Sequence, residues 1–214
     1  MKMLIVAAGK LPAKELINQY AEESDFCIAV DGGLCAFEHT SIVPNLIVGD
    51  MDSVDSIVLN EYLKKGSEAV FAEVEKNETD SMLALDIAIK RGATKIVMLG
   101  ATGGRIDHLL SNIMLLKRAH KKNIELVMED KRHTISIGKG DFDIKGKKGQ
   151  TVSLIPINDS VHVTASGLYY PLENLRLTND KPRGVSNLFL RETAHIKSDR
   201  YVLVIKIKEP IKRQ

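Results

Sequence analysis

The chain has few cysteines, no long apolar run and almost no net charge, and each shortage excludes a class of protein. Its thiols, Cys27 and Cys35, match no zinc-binding spacing and indicate no disulfide framework. No apolar run reaches the roughly 18 residues of a membrane-spanning helix, and the apolar residues 1–8 are too short for a secretory leader. A net charge of +2 creates no basic field for nucleic acid. We therefore expect a cytoplasmic protein with neither a membrane nor a nucleic-acid partner.

The sequence also lacks the common signatures of nucleotide-binding and hydrolytic enzymes. Neither a Walker A motif nor GxGxxG occurs. No Ser/His/Asp or Cys/His arrangement can be recognised. Any phosphate site must therefore be of another kind than the P-loop or the dinucleotide fingerprint.

Strand and helix signals alternate over the first 129 residues. Six short apolar runs end in turns, at residues 3–8, 26–30, 45–48, 68–71, 95–99 and 124–128, and amphipathic helical patterns lie between most of them. This alternation predicts an α/β domain over residues 1–129, with an open, mostly parallel sheet and helices on both faces.

The pattern changes after residue 129. No long helical period recurs, and short β-like runs follow one another at residues 133–137, 142–144, 151–156, 161–165, 186–190, 195–197 and 201–207. A spacing of roughly 8–12 residues between strands is typical of a sandwich. We therefore predict a second domain, an all-β sandwich, over residues 130–214.

The stretch KIVMLGATGGRIDHLLSNI, residues 95–113, carries the strongest functional signal. A buried strand runs into a turn with three glycines, and the turn runs into an amphipathic helix. Free backbone amides and the positive end of the helix dipole favour a phosphate there. Arg105 would add a forked cation and Asp107 an acid beside it, which suggests a metal ion between acid and phosphate. The alternative is an ordinary strand–helix turn with a surface Arg–Asp pair.

Aspartates lie in four strand-to-helix connections: Asp31, Asp50 with Asp52, Asp80, and Asp107. Such connections share the carboxyl edge of a parallel sheet, where ligands bind. Carboxylates grouped there would repel one another unless cations lie among them. Hard oxygen ligands of this kind suit Mg²⁺ shared with substrate phosphates. Each aspartate could instead support a turn or a helix start.

Two further residues could contact a nucleotide. Lys76 precedes the ETD sequence and could reach a phosphate as a point charge. His108 stands at the start of the helix after the glycine turn. A solvated lysine and a histidine with a local hydrogen bond are the simpler alternatives.

Four motifs of the first half resemble those of the thiamine pyrophosphokinase family. They are DGG at residues 31–33, PNLIVGDMDSV at 44–54, NETDSMLAL at 77–85 and LGATGGRIDHLLSN at 99–112. GLYYPLENL at 167–175 and GVSN at 184–187 are weaker matches. The resemblance implies an α/β nucleotide-binding domain followed by a β-sandwich, the division that the pattern predicts independently.

The resemblance also implies a reaction in which the hydroxyl of thiamine attacks the β-phosphorus of ATP and AMP leaves, with Mg²⁺ on the phosphates. Such a transfer depends on positioning and charge neutralisation, which suits a site without an obvious nucleophile. The resemblance further implies a homodimer whose site combines the α/β domain of one subunit with the β domain of the other. Some members stack thiamine on a tryptophan, which this chain lacks. Tyr169 and Phe189 are the candidates in its place, and the alternative is that an aromatic at such a strand position belongs to the core.

Residue roles follow from the same resemblance. The catalytic residues would be Asp50, Asp52, Asp80 and Arg105, and the metal ligands Asp50, Asp52 and Asp80, with Asp31 as a further candidate. The residues implied to bind ATP or thiamine are Asp31, Gly32, Lys76, Thr79, Thr102, Gly103, Gly104, Arg105, Asp107, His108, Ser186 and Asn187. Two other functions stay open: a metal-dependent phosphohydrolase with water as acceptor, and a non-catalytic nucleotide or thiamine sensor.

Overall fold

The computed structural model describes residues 1–71, 78–181 and 183–208. The chain divides into two compact units, Met1–Lys131 and Arg132–Gln214. Lys76 lies outside the described residues, so the structure does not place it. No helix in the described part of the chain is long and apolar enough to cross a membrane.

The first unit alternates strands and helices. Its strands are β1 (Lys2–Val6), β2 (Phe26–Val30), β3 (Leu46–Gly49), β4 (Glu68–Phe71), β5 (Lys95–Leu99) and β6 (Glu125–Glu129). Its helices are α1 (Lys14–Glu22), a 3₁₀ helix (Asp31–Phe37), α2 (Ser56–Lys64), α3 (Asp80–Lys90) and α4 (Ile106–His120). The strands pair in parallel in the order β6-β5-β1-β2-β3-β4, which confirms the predicted open parallel sheet.

Helices cover both faces of this sheet, as predicted. Alternate residues of a strand point to opposite faces. Leu4 and Val6 of β1 pack with α1, the 3₁₀ helix and α2 in one core, where Ile17 and Phe37 are fully buried. Helix α3 contacts β1, β2 and β3 from the other face and buries Leu85. Because every strand runs the same way, all the strand-to-helix connections open at one carboxyl edge.

The second unit is all-β, which confirms the predicted change of architecture. Its strands are β7 (His133–Lys145), β8 (Thr151–Pro156), β9 (Ser160–Ser166), β10 (Leu172–Thr178), β11 (Asn187–Leu188) and β12 (Thr193–Ile207). They pair antiparallel in the order β10-β9-β12-β7, while β8 pairs with β12 and β11. A core that includes Leu154, Val163, Phe189 and Ile196 lies inside.

Strand boundaries in the second unit differ from the prediction at three places. The strands β7 and β12 are each continuous where two strands were predicted. The glycine-containing residues 138–140 and the residues 198–202 form a register shift within one long pairing instead of turns. Strand β10 was not predicted. Its register also shifts, between Leu172 and Leu175, and Asn174 has a left-handed φ of 49°, so its alternation of apolar and polar residues is broken.

Candidate active site

The carboxylates of Asp31, Asp50 and Asp52 form one group at the carboxyl edge of β2 and β3. Their ligand oxygens lie within 4.8 Å of one another. Asp31 directly follows β2, and Asp50 directly follows β3. Because the two strands are parallel neighbours, with Val30 paired to Val48, the residues that follow them are brought together.

A tight turn after β3 holds two of these acids. Met51 has a left-handed φ of 63°, a conformation that costs about 1 kcal/mol or more in a non-glycine residue and is often retained at functional sites. The backbone N–H of Asp52 donates to Asp50 Oδ1 at 3.2 Å, and Ser53 Oγ donates to Asp52 Oδ1 at 2.8 Å. The GDMDS sequence therefore forms a turn that places both carboxylates beside Asp31.

Asp31 has few partners for a half-buried acid. Its Oδ1 is buried and accepts no hydrogen bond from any described residue. Burial raises the pKa of the Asp31 carboxyl, and the negative charges of Asp50 and Asp52 raise it further, while the nearby polar groups of Gly32 and Ser53 act in the opposite direction. Among the residues that the structure describes, none of the three acids forms a salt bridge. A buried oxygen without a donor and three hard ligands fit a divalent cation.

Asp80 lies at a different element from the group. It is the first residue of α3, whose N-cap is Thr79; Thr79 Oγ1 accepts from the backbone N–H of Met82 at 3.3 Å. An acid in the first turn of a helix suits the helix dipole. The three-carboxylate group found in the described chain contains Asp31 and not Asp80. Of the acids expected at this edge, the structure thus brings Asp31, Asp50 and Asp52 into one group, and that group does not include Asp80.

The turn after β5 packs its backbone against the loop that follows β1. Gly9 N–H donates to the carbonyl of Gly100 at 2.9 Å, and Lys10 N–H donates to the carbonyl of Thr102 at 3.1 Å. Gly100 has a left-handed φ of 66°, and a Cβ there would lie 2.1 Å from the carbonyl oxygen of Ala7. Only glycine fits so close an approach.

Two side chains hold this glycine turn from behind. The buried Asn112 of α4 donates from Nδ2 to the carbonyl of Ala101 at 3.1 Å. Thr102 Oγ1 donates to Asp130 Oδ2 at 2.7 Å. Gly103 and Gly104 follow with left-handed φ values of 81° and 66° and are exposed. The turn therefore exposes the backbone of two glycines, and the residues before them are held in place by these hydrogen bonds.

Arg105 and Asp107, at the start of α4, bind each other. Arg105 Nε lies 3.2 Å from Asp107 Oδ1, and Nη2 lies 2.6 Å from Oδ2. The N–H of His108 also donates to Asp107 Oδ1 at 2.9 Å. The hydrogen bond from Arg105 lowers the pKa of the Asp107 carboxyl to about 2. Both side chains are mostly exposed, 74% and 62%, so the pair is accessible but internally satisfied.

In the second unit the side chain of Asn187 is fully engaged by backbone groups. Its Oδ1 accepts from the N–H groups of Tyr170 and Leu188, both at 2.9 Å, and its Nδ2 donates to the carbonyl of Tyr170 at 2.7 Å. Ser186 is exposed and has a left-handed φ of 58°; its N–H donates to Ser153 Oγ at 3.0 Å. Asn187 therefore supports the tyrosine segment, and Ser186 is the accessible side chain of the two.

The aromatic residues of this unit differ in exposure. Phe189 is a core residue with 1% exposure. Tyr169 and Tyr170 are 58% and 54% exposed, and their ring centroids lie 4.9 Å apart, edge to face. Tyr169 is therefore available to a ligand, and its neighbour Tyr170 is an aromatic that sequence reasoning missed.

Lys10 was not among the residues predicted for this edge. It lies in the loop after β1, at the same sheet edge as the predicted residues, and it is exposed. The available signal was Gly9-Lys10 directly after an apolar strand, a short version of the pattern noted at residues 100–105.

The fold and the site define a class: an α/β protein suited to hold a divalent cation and a phosphate group at one sheet edge, with an all-β unit after it. Comparisons with known proteins are more specific. Residues 17–128 match the family described as thiamin pyrophosphokinase, catalytic domain, and residues 132–203 match thiamin pyrophosphokinase, vitamin B1 binding domain. The chain belongs to the thiamin pyrophosphokinase family, so the predicted family and class of enzyme are confirmed.

Individual relatives agree over nearly the whole chain. A thiamine pyrophosphokinase of Bacillus subtilis is 31% identical over 204 residues, which cover 94% of this chain and 95% of the relative. The crystal structure of thiamine pyrophosphokinase from Bacillus subtilis has a TM-score of 0.87 at 29% identity, covering 99% of this chain and 100% of that one. The enzyme from Geobacillus thermodenitrificans has a TM-score of 0.83 at 25% identity, with 98% of each chain covered.

Proposed function

We propose that this chain transfers the pyrophosphoryl group of ATP to the hydroxyl of thiamine, giving thiamine diphosphate and AMP. Membership of the thiamin pyrophosphokinase family supports the formation of thiamine diphosphate from ATP and thiamine. The observation that carries the metal-assisted form of the proposal is the group of Asp31, Asp50 and Asp52, with its buried and unpartnered oxygen.

Asp31, Asp50 and Asp52 would hold a divalent cation. Mg²⁺ suits them because it prefers carboxylate oxygens and binds phosphate oxygens at the same time. When bound, it would act as a Lewis acid and neutralise negative charge on the transferring group. Asp80 stays a proposed ligand of the same ion, because α3 begins at the same sheet edge.

The glycine turn would bind the phosphates of ATP. Exposed backbone of Gly103 and Gly104, together with the start of α4, offers N–H donors and the positive end of a helix dipole. Arg105 would add a forked contact by sharing its guanidinium between Asp107 and a phosphate oxygen. These groups position the nucleotide so that the β-phosphorus faces the attacking hydroxyl, which is the main task in transfers of this type.

The all-β unit would bind thiamine. Ser186 and the exposed pair Tyr169–Tyr170 are the proposed contacts, with Asn187 holding the tyrosine segment in place. An aromatic face attracts a cationic ring, so a tyrosine can serve where the chain has no tryptophan.

We also propose a homodimer in which each active site uses the α/β unit of one subunit and the all-β unit of the other. Mixing an inactive Asp52→Asn protein with an inactive Ser186→Tyr protein should then restore part of the activity, because one of the mixed sites has no altered residue. A mixture that stays inactive after verified subunit exchange would argue for a site within one chain.

The test of the function is product analysis after incubation with ATP, Mg²⁺ and thiamine, with a control that omits thiamine. We expect thiamine diphosphate and AMP in equal amounts, and neither product without thiamine. ADP with thiamine monophosphate would contradict attack at the β-phosphorus. Breakdown of ATP without thiamine would point to a phosphohydrolase, and ATP binding without turnover would point to a sensor.

A further inference from the structure

We propose that Lys10 is an additional substrate-binding residue, whose ammonium group contacts the polyphosphate of ATP. This inference deepens the proposed function and rests on it, because it names a contact to that substrate. It is drawn from the position of the loop after β1, from its backbone contacts and from the distribution of charge at the sheet edge.

The loop after β1 lies between the two halves of the candidate active site. In the sheet, β1 pairs with β2 on one side and with β5 on the other. On the β2 side, the Cβ of Ala8 lies 3.4 Å from the position that a Cβ on Gly32 would take. On the β5 side, the Cβ of Lys10 lies 2.8 Å from the position that a Cβ on Gly103 would take. One short segment therefore borders both the glycine turn and Gly32, the residue next to Asp31 of the acidic group.

The backbone of Lys10 is fixed, while its side chain is exposed. Its N–H donates to the carbonyl of Thr102, and the preceding N–H of Gly9 donates to the carbonyl of Gly100. The backbone of Lys10 is therefore held beside the exposed glycines, while its ammonium group can move on a flexible side chain. A mobile point charge of this kind suits an extended phosphate chain.

The charged groups at this sheet edge do not already pair with the ammonium group of Lys10 in the described part of the chain. Three carboxylates, Asp31, Asp50 and Asp52, lie on one side. The guanidinium of Arg105 already makes a forked contact with Asp107. Lys10 forms no salt bridge with any described residue. Its charge is therefore available to a polyanion without first breaking an ion pair.

The test measures the binding of two ligands by isothermal titration calorimetry. One is AMP, and the other is α,β-methylene ATP, in which a methylene group replaces the oxygen between the α- and β-phosphorus atoms, so that the bond cannot be cleaved. Lys10→Met keeps the backbone N–H and the length of the side chain but removes the charge. We expect it to raise the Kd for α,β-methylene ATP about tenfold, the size of a lost charge-assisted contact, and to leave the Kd for AMP within about twofold. Lys10→Arg should restore most of the affinity.

Lys14→Met is the matched control, because Lys14 begins α1 a few residues later, is exposed and makes no backbone contact with the glycine turn in the described chain. Unchanged α,β-methylene ATP affinity in a folded Lys10→Met protein would overturn the assignment. So would an equal loss of AMP affinity, or an equal effect of Lys14→Met. Failure of the wild-type protein to bind α,β-methylene ATP would overturn the proposed function together with this inference, whereas wild-type binding with an unaffected variant would overturn the inference alone.

Discussion

Two acidic sites at one sheet edge balance their charge in different ways. Asp31, Asp50 and Asp52 lie together without a cation from the described residues, and one of their oxygens is buried without a donor. Asp107, by contrast, receives both arms of the Arg105 guanidinium. The described residues therefore supply no positive charge to the first site, whereas the charge of Asp107 is matched by Arg105.

The two sites also differ in the direction of their pKa shifts. Burial, helped by neighbouring acids, raises the pKa of Asp31, so its ionised form is less favourable than that of a free carboxyl group. The hydrogen bond from Arg105 lowers the pKa of Asp107 to about 2, so its ionised form is already favoured. A raised pKa together with a buried oxygen that lacks a donor indicates that Asp31 is suited to bind a ligand. The lowered pKa of Asp107 is explained by its local pair with Arg105.

The largest effect should come from Asp52→Asn, which weakens the acidic group without changing its volume. We expect the rate of thiamine diphosphate formation to fall about 10³-fold, equivalent to about 4 kcal/mol, because charge neutralisation on the phosphates is lost. Steady-state kinetics at several Mg²⁺ concentrations measures this, and Glu22→Gln, an exposed acid at the end of α1, is the control. Turnover close to wild type would remove Asp52 from the metal site.

A second large effect should come from Gly100→Ala, which tests the support of the glycine turn. The new Cβ would meet the carbonyl oxygen of Ala7 at 2.1 Å on a left-handed backbone, so we expect a loss of about 3 kcal/mol in the free energy of unfolding. Gly92→Ala is the matched control. It has a similar φ of 84° but no atom within 4 Å of the added Cβ, so it should cost only about 1 kcal/mol. Equal losses in urea unfolding would show that the close approach is unimportant.

Arg105→Lys should have a moderate effect that separates structure from catalysis. A point charge cannot contact Asp107 and a phosphate in the forked geometry of a guanidinium, so we expect kcat/KM for ATP to fall about tenfold. The free energy of unfolding should hardly change, because the pair is exposed. Unchanged kinetics over a range of ATP concentrations would show that Arg105 binds Asp107 but does not contact ATP.

The smallest effect should be a pH dependence of stability in metal-free protein. The folded state binds a proton at Asp31 more readily than the unfolded state does, so this group destabilises the fold as pH rises through its raised pKa. Asp31→Asn should remove that decline and should unfold at a higher temperature than wild type at neutral pH without Mg²⁺. Identical melting profiles of the two proteins between acid and neutral pH would contradict the raised pKa.

The order of elements in the first unit was predictable because its buried strands are short apolar runs that end in turns. The motifs GDMDS and GGRIDH were predicted to lie at the carboxyl edge of the sheet, and they follow β3 and β5 there. The 3₁₀ helix after β2 and the continuous length of β7 and β12 were not predictable in the same way. Their signals are polar or glycine-rich residues, which pattern reading takes for turns.

Side-chain partners could not be read from the residue pattern. The sequence places Asp31 and Asp80 at equivalent connections, yet only the pairing of β2 with β3 brings Asp31 to Asp50. The resemblance likewise implied that Asn187 binds thiamine, whereas its amide is occupied by the backbone of Tyr170 and Leu188. Such distinctions depend on tertiary contacts between residues distant in sequence.

The most direct test of the contrast between the two sites is the affinity for Mn²⁺, used as a paramagnetic substitute for Mg²⁺ and followed by electron paramagnetic resonance. Wild type, Asp31→Asn and Asp107→Asn would be titrated without nucleotide. We expect Asp31→Asn to weaken Mn²⁺ binding by about tenfold or more, since a ligand charge is lost, while Asp107→Asn binds within about twofold of wild type. Equal Mn²⁺ affinity in wild type and Asp31→Asn, or an equal loss in Asp107→Asn, would contradict the assignment of the metal to the acidic group.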